Sequence, residues 1–268
     1  VMRRVRAIFI VLLVGLFLNP AARAELVDLE LVLLVDVSGS IDDDEATLQR
    51  EGYLKAITDP RVMQTIQSGR HGRIAVIYAE WAGDHYQQML TDWHVIEDAA
   101  SAKAFADRLA AQPLQVEFWT SISGAMRFGL ELLGQSPHQG RRRVLDISGD
   151  GPNNSGGPVM AIRQQVLAQR VTINGLPIIN GRPSRYGRLP MKNLDEYYRE
   201  CVIGGTGAFM VVAHGFNDFA RAIRRKLILE IAGAQPLTPR LVSAALPDPA
   251  ICFTGERRRN WDFDRDEM

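Results

Sequence analysis

Acidic and hydroxyl side chains follow one apolar run near the start of the chain. Residues 31–35 are all apolar, and Asp36, Ser38 and Ser40 come next at alternate positions. Such a run is typical of a buried strand that delivers polar side chains to the edge of a sheet. Oxygen ligands of this kind suit a hard cation such as Mg2+. The same residues could instead form a capping turn, with Ser40 or an acid at 42–44 starting the next helix.

A second acid follows a second predicted strand. Residues 141–148 read as a strand, and Asp150 lies just beyond it between two glycines. Thr120 stands at the start of a predicted helix, on a loop that could reach the same edge. Ligands of open α/β sheets gather outside the carboxyl ends of the strands. We therefore expect these three loops to meet.

Predicted strands and helices alternate through nearly the whole chain. Helices are predicted at 42–57, 101–111 with Ser101 as the cap, 119–133, 157–169 and 216–232, and strands at 73–79, 86–93, 141–148, 171–179 and 208–213. The strands 73–79 and 86–93 are expected to form a hairpin at Gly83-Asp84. The alternation predicts an α/β fold: a doubly wound, mostly parallel central sheet with helices on both faces.

The pattern Asp-x-Ser-x-Ser, a distant Thr and an Asp between glycines resembles the metal-ion-dependent adhesion site of the von Willebrand factor A family. The resemblance covers residues 31 to about 232 and implies a Rossmann-like fold. It also implies that Asp36, Ser38, Ser40, Thr120 and Asp150 hold one divalent cation, Mg2+ first, with Mn2+ or Ca2+ as alternatives. Neutral hydroxyl ligands would leave that ion able to attract an Asp or Glu of a protein partner.

Two details depart from the family pattern or leave it open. The family usually has Thr before the last acid, and this chain has Gly149. Thr120 is followed by Ser121, so the hydroxyl ligand could be off by one, with Thr120 favoured. The blocks at 147–154, 172–178 and 197–205 further resemble a bacterial subgroup of secreted vWA proteins with no characterised function.

The first 24 residues have the order of a secretory signal peptide. A basic start precedes an apolar run at 7–18 and a small-x-small ending at Ala24. A membrane anchor is the alternative, but the run is shorter than the roughly 18 apolar residues that a spanning helix needs. We expect cleavage after Ala24, a periplasmic or secreted protein without a transmembrane segment, a vWA-like domain at 25–233 and a proline-bearing tail at 234–268, extended or partly disordered.

The net charge limits the classes of partner that are expected, and the cysteine content bears on the cellular compartment. Cleavage would remove four arginines and no acids, so that 31 basic residues become 27 against 31 acidic ones, a net charge of about −4. This argues against nucleic acid and anionic membranes as partners. The only two cysteines, Cys201 and Cys252, are predicted to form a disulfide between the tail and the domain, with two buried thiols as the alternative.

Other chemistry has less support in the sequence. The five histidines are scattered, and Ser38 does not lie in the Gly-x-Ser-x-Gly pattern of a hydrolase. Trp81, Trp93 and Trp119 could line a recognition surface, although core packing is expected for at least two. The prediction is a metal-dependent binding module and not an enzyme. A metal-dependent periplasmic hydrolase is the alternative, and a domain that only stabilises an assembly is a third possibility.

Overall fold

The structure, a computed structural model, describes residues 24–183, 189–233 and 249–257. The predicted signal peptide therefore lies outside the described residues, apart from Ala24, and so do residues 234–248 and 258–268 of the predicted tail. No helix within the described ranges is long and apolar enough to cross a membrane.

The described residues contain eight strands, which form one large sheet and one small sheet. The strands are β1 Glu25–Val27, β2 Glu30–Asp36, β3 Ile74–Trp81, β4 Gln87–Met89, β5 His94–Ile96, β6 His138–Gly140, β7 Arg143–Gly149 and β8 Thr172–Pro177. The large sheet has the order β4-β3-β2-β7-β8, and β5 also pairs with β3. Strands β3, β2, β7 and β8 are parallel, whereas β4 and β5 run antiparallel to β3. The small sheet is the parallel pair of β1 and β6.

Helices cover both faces of the large sheet. They are α1 Asp43–Ile57, α2 Pro60–Gln67, α3 Ala99–Ala110, α4 Ile122–Gly134, α5 Val159–Ala168, α6 Leu194–Tyr197, a π-helix Tyr198–Val202, a 3-10 turn Phe216–Asp218, α7 Phe219–Ala232 and α8 Pro249–Cys252.

The side chains of β2 alternate between two hydrophobic cores. Leu31 and Leu33 pack in one core with residues of α1, α2, α3 and α7, such as Phe219. Val32 and Leu34 pack in the other with residues of α4, α5 and α6. A strand with successive side chains on opposite faces and both faces covered must be apolar throughout. The doubly wound, mostly parallel sheet predicted from the sequence is confirmed.

Several element boundaries differ from the prediction. Helix α3 begins after Asp98, whose side chain accepts a hydrogen bond from the backbone N–H of Ser101, and the Ser101 side chain caps in return. The N-cap of this capping box lies three residues upstream of the predicted cap, Ser101. The predicted strand 208–213 forms only isolated bridges, at Met210 and Ala213. Helix α2 is not among the predicted helices; Pro60 is its first residue, and Asp59 caps it.

Candidate metal site

The site lies where β2 and β7 end side by side. The two strands are parallel neighbours, so Asp36, the last residue of β2, and Asp150, just after β7, reach the same edge of the sheet. The N-terminus of α4 is the third contributor, because Thr120 lies two residues before that helix. The structure brings together all five residues predicted for the metal.

Short hydrogen bonds order the first two loops. The backbone N–H of Ser38 donates to Asp36 Oδ1 at 2.8 Å, and the Oγ atoms of Ser38 and Ser40 are 3.1 Å apart. Ser40 Oγ donates to Asp150 Oδ1 at 2.6 Å and thereby joins the loops that follow β2 and β7. The capping role is taken by Asp42, which forms a capping box with Glu45. Ser40 therefore faces the acids, not the helix.

The third loop presents Thr120. Its Oγ1 lies 3.4 Å from Ser38 Oγ, and its backbone N–H donates to Asn154 Oδ1 at 2.8 Å. The hydroxyl of Ser121 instead accepts a hydrogen bond from the backbone N–H of Gly124 and caps α4. The geometry thus favours Thr120 over its neighbour. Trp119, with a φ of 68°, makes the sharp turn that leads into this pair.

The two carboxyl groups are buried and repel each other. Asp36 is fully buried and Asp150 is 7% exposed. Burial, followed by the charge of Asp150, raises the pKa of Asp36 well above its ordinary value. Burial also raises the pKa of Asp150 to about 6, and the charge of Glu45 adds to this rise.

These features fit a bound cation. Asp36 Oδ2 is buried and has no hydrogen-bond partner among the described residues. A divalent ion between the acids would supply the missing partner and offset their repulsion. No three His, Cys, Asp or Glu side chains in the described ranges cluster in a way that could hold a metal. An ion at this edge would therefore need the hydroxyl oxygens as well as the two acids, a donor set suited to Mg2+.

Gly149 is explained by a residue from a distant part of the chain. A Cβ at position 149 would lie 2.7 Å from Asp36 Oδ2 and 2.9 Å from Tyr198 Oη. The phenol of Tyr198 therefore comes close to the space into which the family's usual Thr side chain would project. This hydroxyl is buried, has no hydrogen-bond partner in the described part of the chain, and its pKa is raised by burial and then by Asp36.

Sequence reasoning did not place Asn153 or Tyr198 at the site. Asn153 is fully buried, and its Oδ1 accepts from the backbone N–H of Ser123 at 3.0 Å. Its position three residues after Asp150 was the available signal, whereas Tyr198 is distant in sequence and had none. Of the tryptophans, Trp81 is buried in the core and Trp119 is 37% exposed.

The two cysteines form a disulfide in the structure. Cys201 and Cys252 have Sγ atoms 1.98 Å apart and Cα atoms 5.5 Å apart. Cys201 belongs to the π-helix, and Cys252 ends α8. The described part of the predicted tail is thus helical and attached to the domain.

The fold defines the class of protein: this is a von Willebrand factor A-type α/β fold. Proximal thread matrix protein 1 from the mussel byssus, in a form with a zinc-occupied MIDAS motif, matches with a TM-score of 0.56 and 14% identity over 78% of this chain and 49% of its own. The vWF domain of the type V pili tip protein Mfa5 from Porphyromonas gingivalis matches with a TM-score of 0.50 and 10% identity over 79% of this chain and 98% of its own. The pilus adhesin SpaC from Lactobacillus rhamnosus GG, in the open conformation, matches with a TM-score of 0.54 and 13% identity over 77% of this chain and 30% of its own.

The chain belongs to the DUF1194 family, described as "Protein of unknown function", whose family model matches residues 26–235. It spans about half the length of the mussel protein and less than a third of the adhesin. None of the curated proteins compared with this chain matches it.

Proposed function

We propose that this chain is a periplasmic or secreted binding module that depends on a divalent cation. Its site holds one divalent cation, Mg2+ in the first place, through Asp36, Ser38, Ser40, Thr120 and Asp150. The remaining coordination position takes an Asp or Glu side chain of a protein partner. The alternative of a metal-dependent hydrolase has no specific structural observation in its favour.

One observation carries the proposal: three hydroxyls and two buried acids from three separate loops converge at one edge of the sheet. Ser40 bridges to Asp150 at 2.6 Å, and Asp36 keeps one buried oxygen without a partner in the described residues. With several neutral ligands, the ion would stay electron-poor and retain an affinity for a further carboxylate. The zinc-occupied MIDAS motif of the mussel protein and the pilus adhesin support the same proposal by analogy.

Calorimetric titration with Mg2+ and Mn2+ tests the metal part. We expect one ion per chain in the wild type and none in Asp36→Ala. The matched control is Asp92→Asn, because Asp92 is an exposed acid in the loop between β4 and β5. Binding that is unchanged in a folded Asp36→Ala protein would refute the site.

Affinity capture from cell-envelope extract tests the partner part. The wild type should retain a protein in Mg2+ and release it in chelator, and Asp36→Ala should not retain it in either buffer. If folded Asp36→Ala captured the same partner equally well in chelator, metal-bridged recognition would be wrong. Hydrolytic turnover that is lost in this variant would favour the enzyme alternative.

A further inference from the structure

The C-terminal segment 249–257 contacts the loop that follows Asp150. The Cys201–Cys252 disulfide fastens it to the π-helix, and both cysteines are almost fully buried. This segment is separated from α7 by residues 234–248, which the structure does not describe. The disulfide and the contacts with Asn153 hold this segment against the domain.

Two contacts beyond the disulfide join this segment to Asn153. Gly255 lies so close that a Cβ on it would be 2.0 Å from the backbone oxygen of Asn153, a distance that only glycine permits. Glu256 Oε1 accepts a hydrogen bond from Asn153 Nδ2 at 2.8 Å. The segment thus contacts both the backbone and the side chain of this one residue.

Asn153 and its neighbour connect the segment to the proposed metal ligands. Asn153 donates its backbone N–H to Tyr197 Oη at 3.1 Å and accepts from the backbone N–H of Ser123 at 3.0 Å. Asn154 and Thr120 are joined twice, through Asn154 N–H to the Thr120 carbonyl and Thr120 N–H to Asn154 Oδ1, both at 2.8 Å. A displacement of Asn153 would therefore move Thr120 as well as the loop of Asp150.

The first residue of the π-helix also lies close to Asp36 and to Gly149 in the loop of Asp150. The helix begins at Tyr198, whose phenol lies close to Asp36 across Gly149, and it contains Cys201 three residues later. Single turns of π-helix are frequent at functional sites. The disulfide therefore connects segment 249–257 to the π-helix whose first residue lies beside Gly149.

We propose that segment 249–257 is a disulfide-held brace that positions Thr120 and the loop of Asp150 and thereby sets the metal affinity of the site. This inference rests on the proposed function. Glu256 and Asn153 are positioning residues, because they act on the metal through Thr120 and the loop of Asp150.

Mn2+ titration of oxidised wild type, Cys201→Ser/Cys252→Ser, Glu256→Ala and Glu256→Gln tests the brace. We expect the dissociation constant to rise roughly tenfold or more in the serine pair and in Glu256→Ala, the range found when supporting partners of metal ligands are removed. Glu256→Gln keeps the acceptor oxygen and should stay within about twofold of the wild type. Glu131→Ala, an exposed acid on α4, is the matched control.

Hydrogen exchange of residues 119–124 and 150–155 without metal tests the brace independently of the proposed function. Faster exchange there in the serine pair and in Glu256→Ala, but not in Glu256→Gln, supports the brace. If those variants unfolded at a lower temperature but bound Mn2+ as the wild type does, the disulfide would stabilise the fold without affecting the metal site. That result would overturn the brace. If the wild type bound no Mn2+, the proposed function would fail, and unchanged exchange in the variants would separately overturn the brace.

Discussion

Replacing Asp150 by Asn should stabilise the metal-free protein while removing its response to metal. Burial raises the pKa of Asp150 to about 6 from an ordinary 3.8. Since the folded state disfavours the ionised form, stability is lost as the pH rises from the unfolded to the folded pKa, and the loss is complete above about 6. An Asn side chain has no charge to bury and still offers Oδ1 to the Ser40 hydroxyl.

The shift of about two pKa units corresponds to about 3 kcal/mol at pH 7. For a domain of this size, that energy would change the unfolding midpoint by roughly 6 to 12 °C. In the wild type, a cation at a hundred times its dissociation constant should add about 2.7 kcal/mol. This second gain should be absent in Asp150→Asn, because the variant lacks one of the two acids.

Thermal unfolding at pH 7.5, in chelator and in a Mg2+ series, measures both effects. Asp92→Asn, an exposed acid, should behave like the wild type in both conditions. The reasoning would be refuted if Asp150→Asn unfolded at or below the wild-type midpoint in chelator and still gained the full wild-type shift in Mg2+.

Three further predictions concern buried groups away from the metal ligands. Burial and then the charge of Asp146 raise the pKa of Glu230 to about 8. The free energy of unfolding should therefore be highest at low pH and fall by about 1.4 kcal/mol per pH unit between about pH 4.5 and pH 8. Urea unfolding at a series of pH values should show a flatter slope for Glu230→Gln, and a slope equal to that of the wild type would contradict this prediction. Lys226 is fully buried, and its Nζ lies 2.5 Å from Asp146 Oδ1 and 2.6 Å from Glu230 Oε1. Lys226→Met should therefore lower the free energy of unfolding by about 3–5 kcal/mol in the same assay. A loss below about 1 kcal/mol would show that the contacts of Lys226 with the two acids are dispensable. Denatured, unreduced protein should contain no reactive thiol, and two thiols per chain would rule out the bridge between Cys201 and Cys252.

The mostly parallel sheet and the loops that carry the proposed ligands could be predicted from the sequence. The apolar run before Asp36 marks a strand with both faces covered, and in a parallel sheet the carboxyl ends of neighbouring strands meet at one edge. The cap of α1 was among the open alternatives, because Asp42, Asp43 and Ser40 are all suitable capping residues. Local rules could not choose among them.

Tertiary structure decided which side chains support the ligands. Asp42 takes the cap and leaves Ser40 to Asp150, a partner 110 residues away. Tyr198 comes close to the space beside Gly149, and Glu256 reaches Asn153 across 103 residues. Contacts over such separations leave no periodic or local trace in a sequence.

The buried charges show the same division. The pattern of α7 predicts an amphipathic helix, yet Lys226 and Glu230 lie in its buried face against Asp146 of β7. By residue type alone, Lys and Glu belong on the exposed face. They are buried here because Lys226 contacts Asp146 and Glu230, and Glu230 also accepts a hydrogen bond from Asn174, partners that only the packed structure provides. The sequence by itself thus determined the fold and where the candidate ligands lie, whereas tertiary packing decided which residues hold them in place.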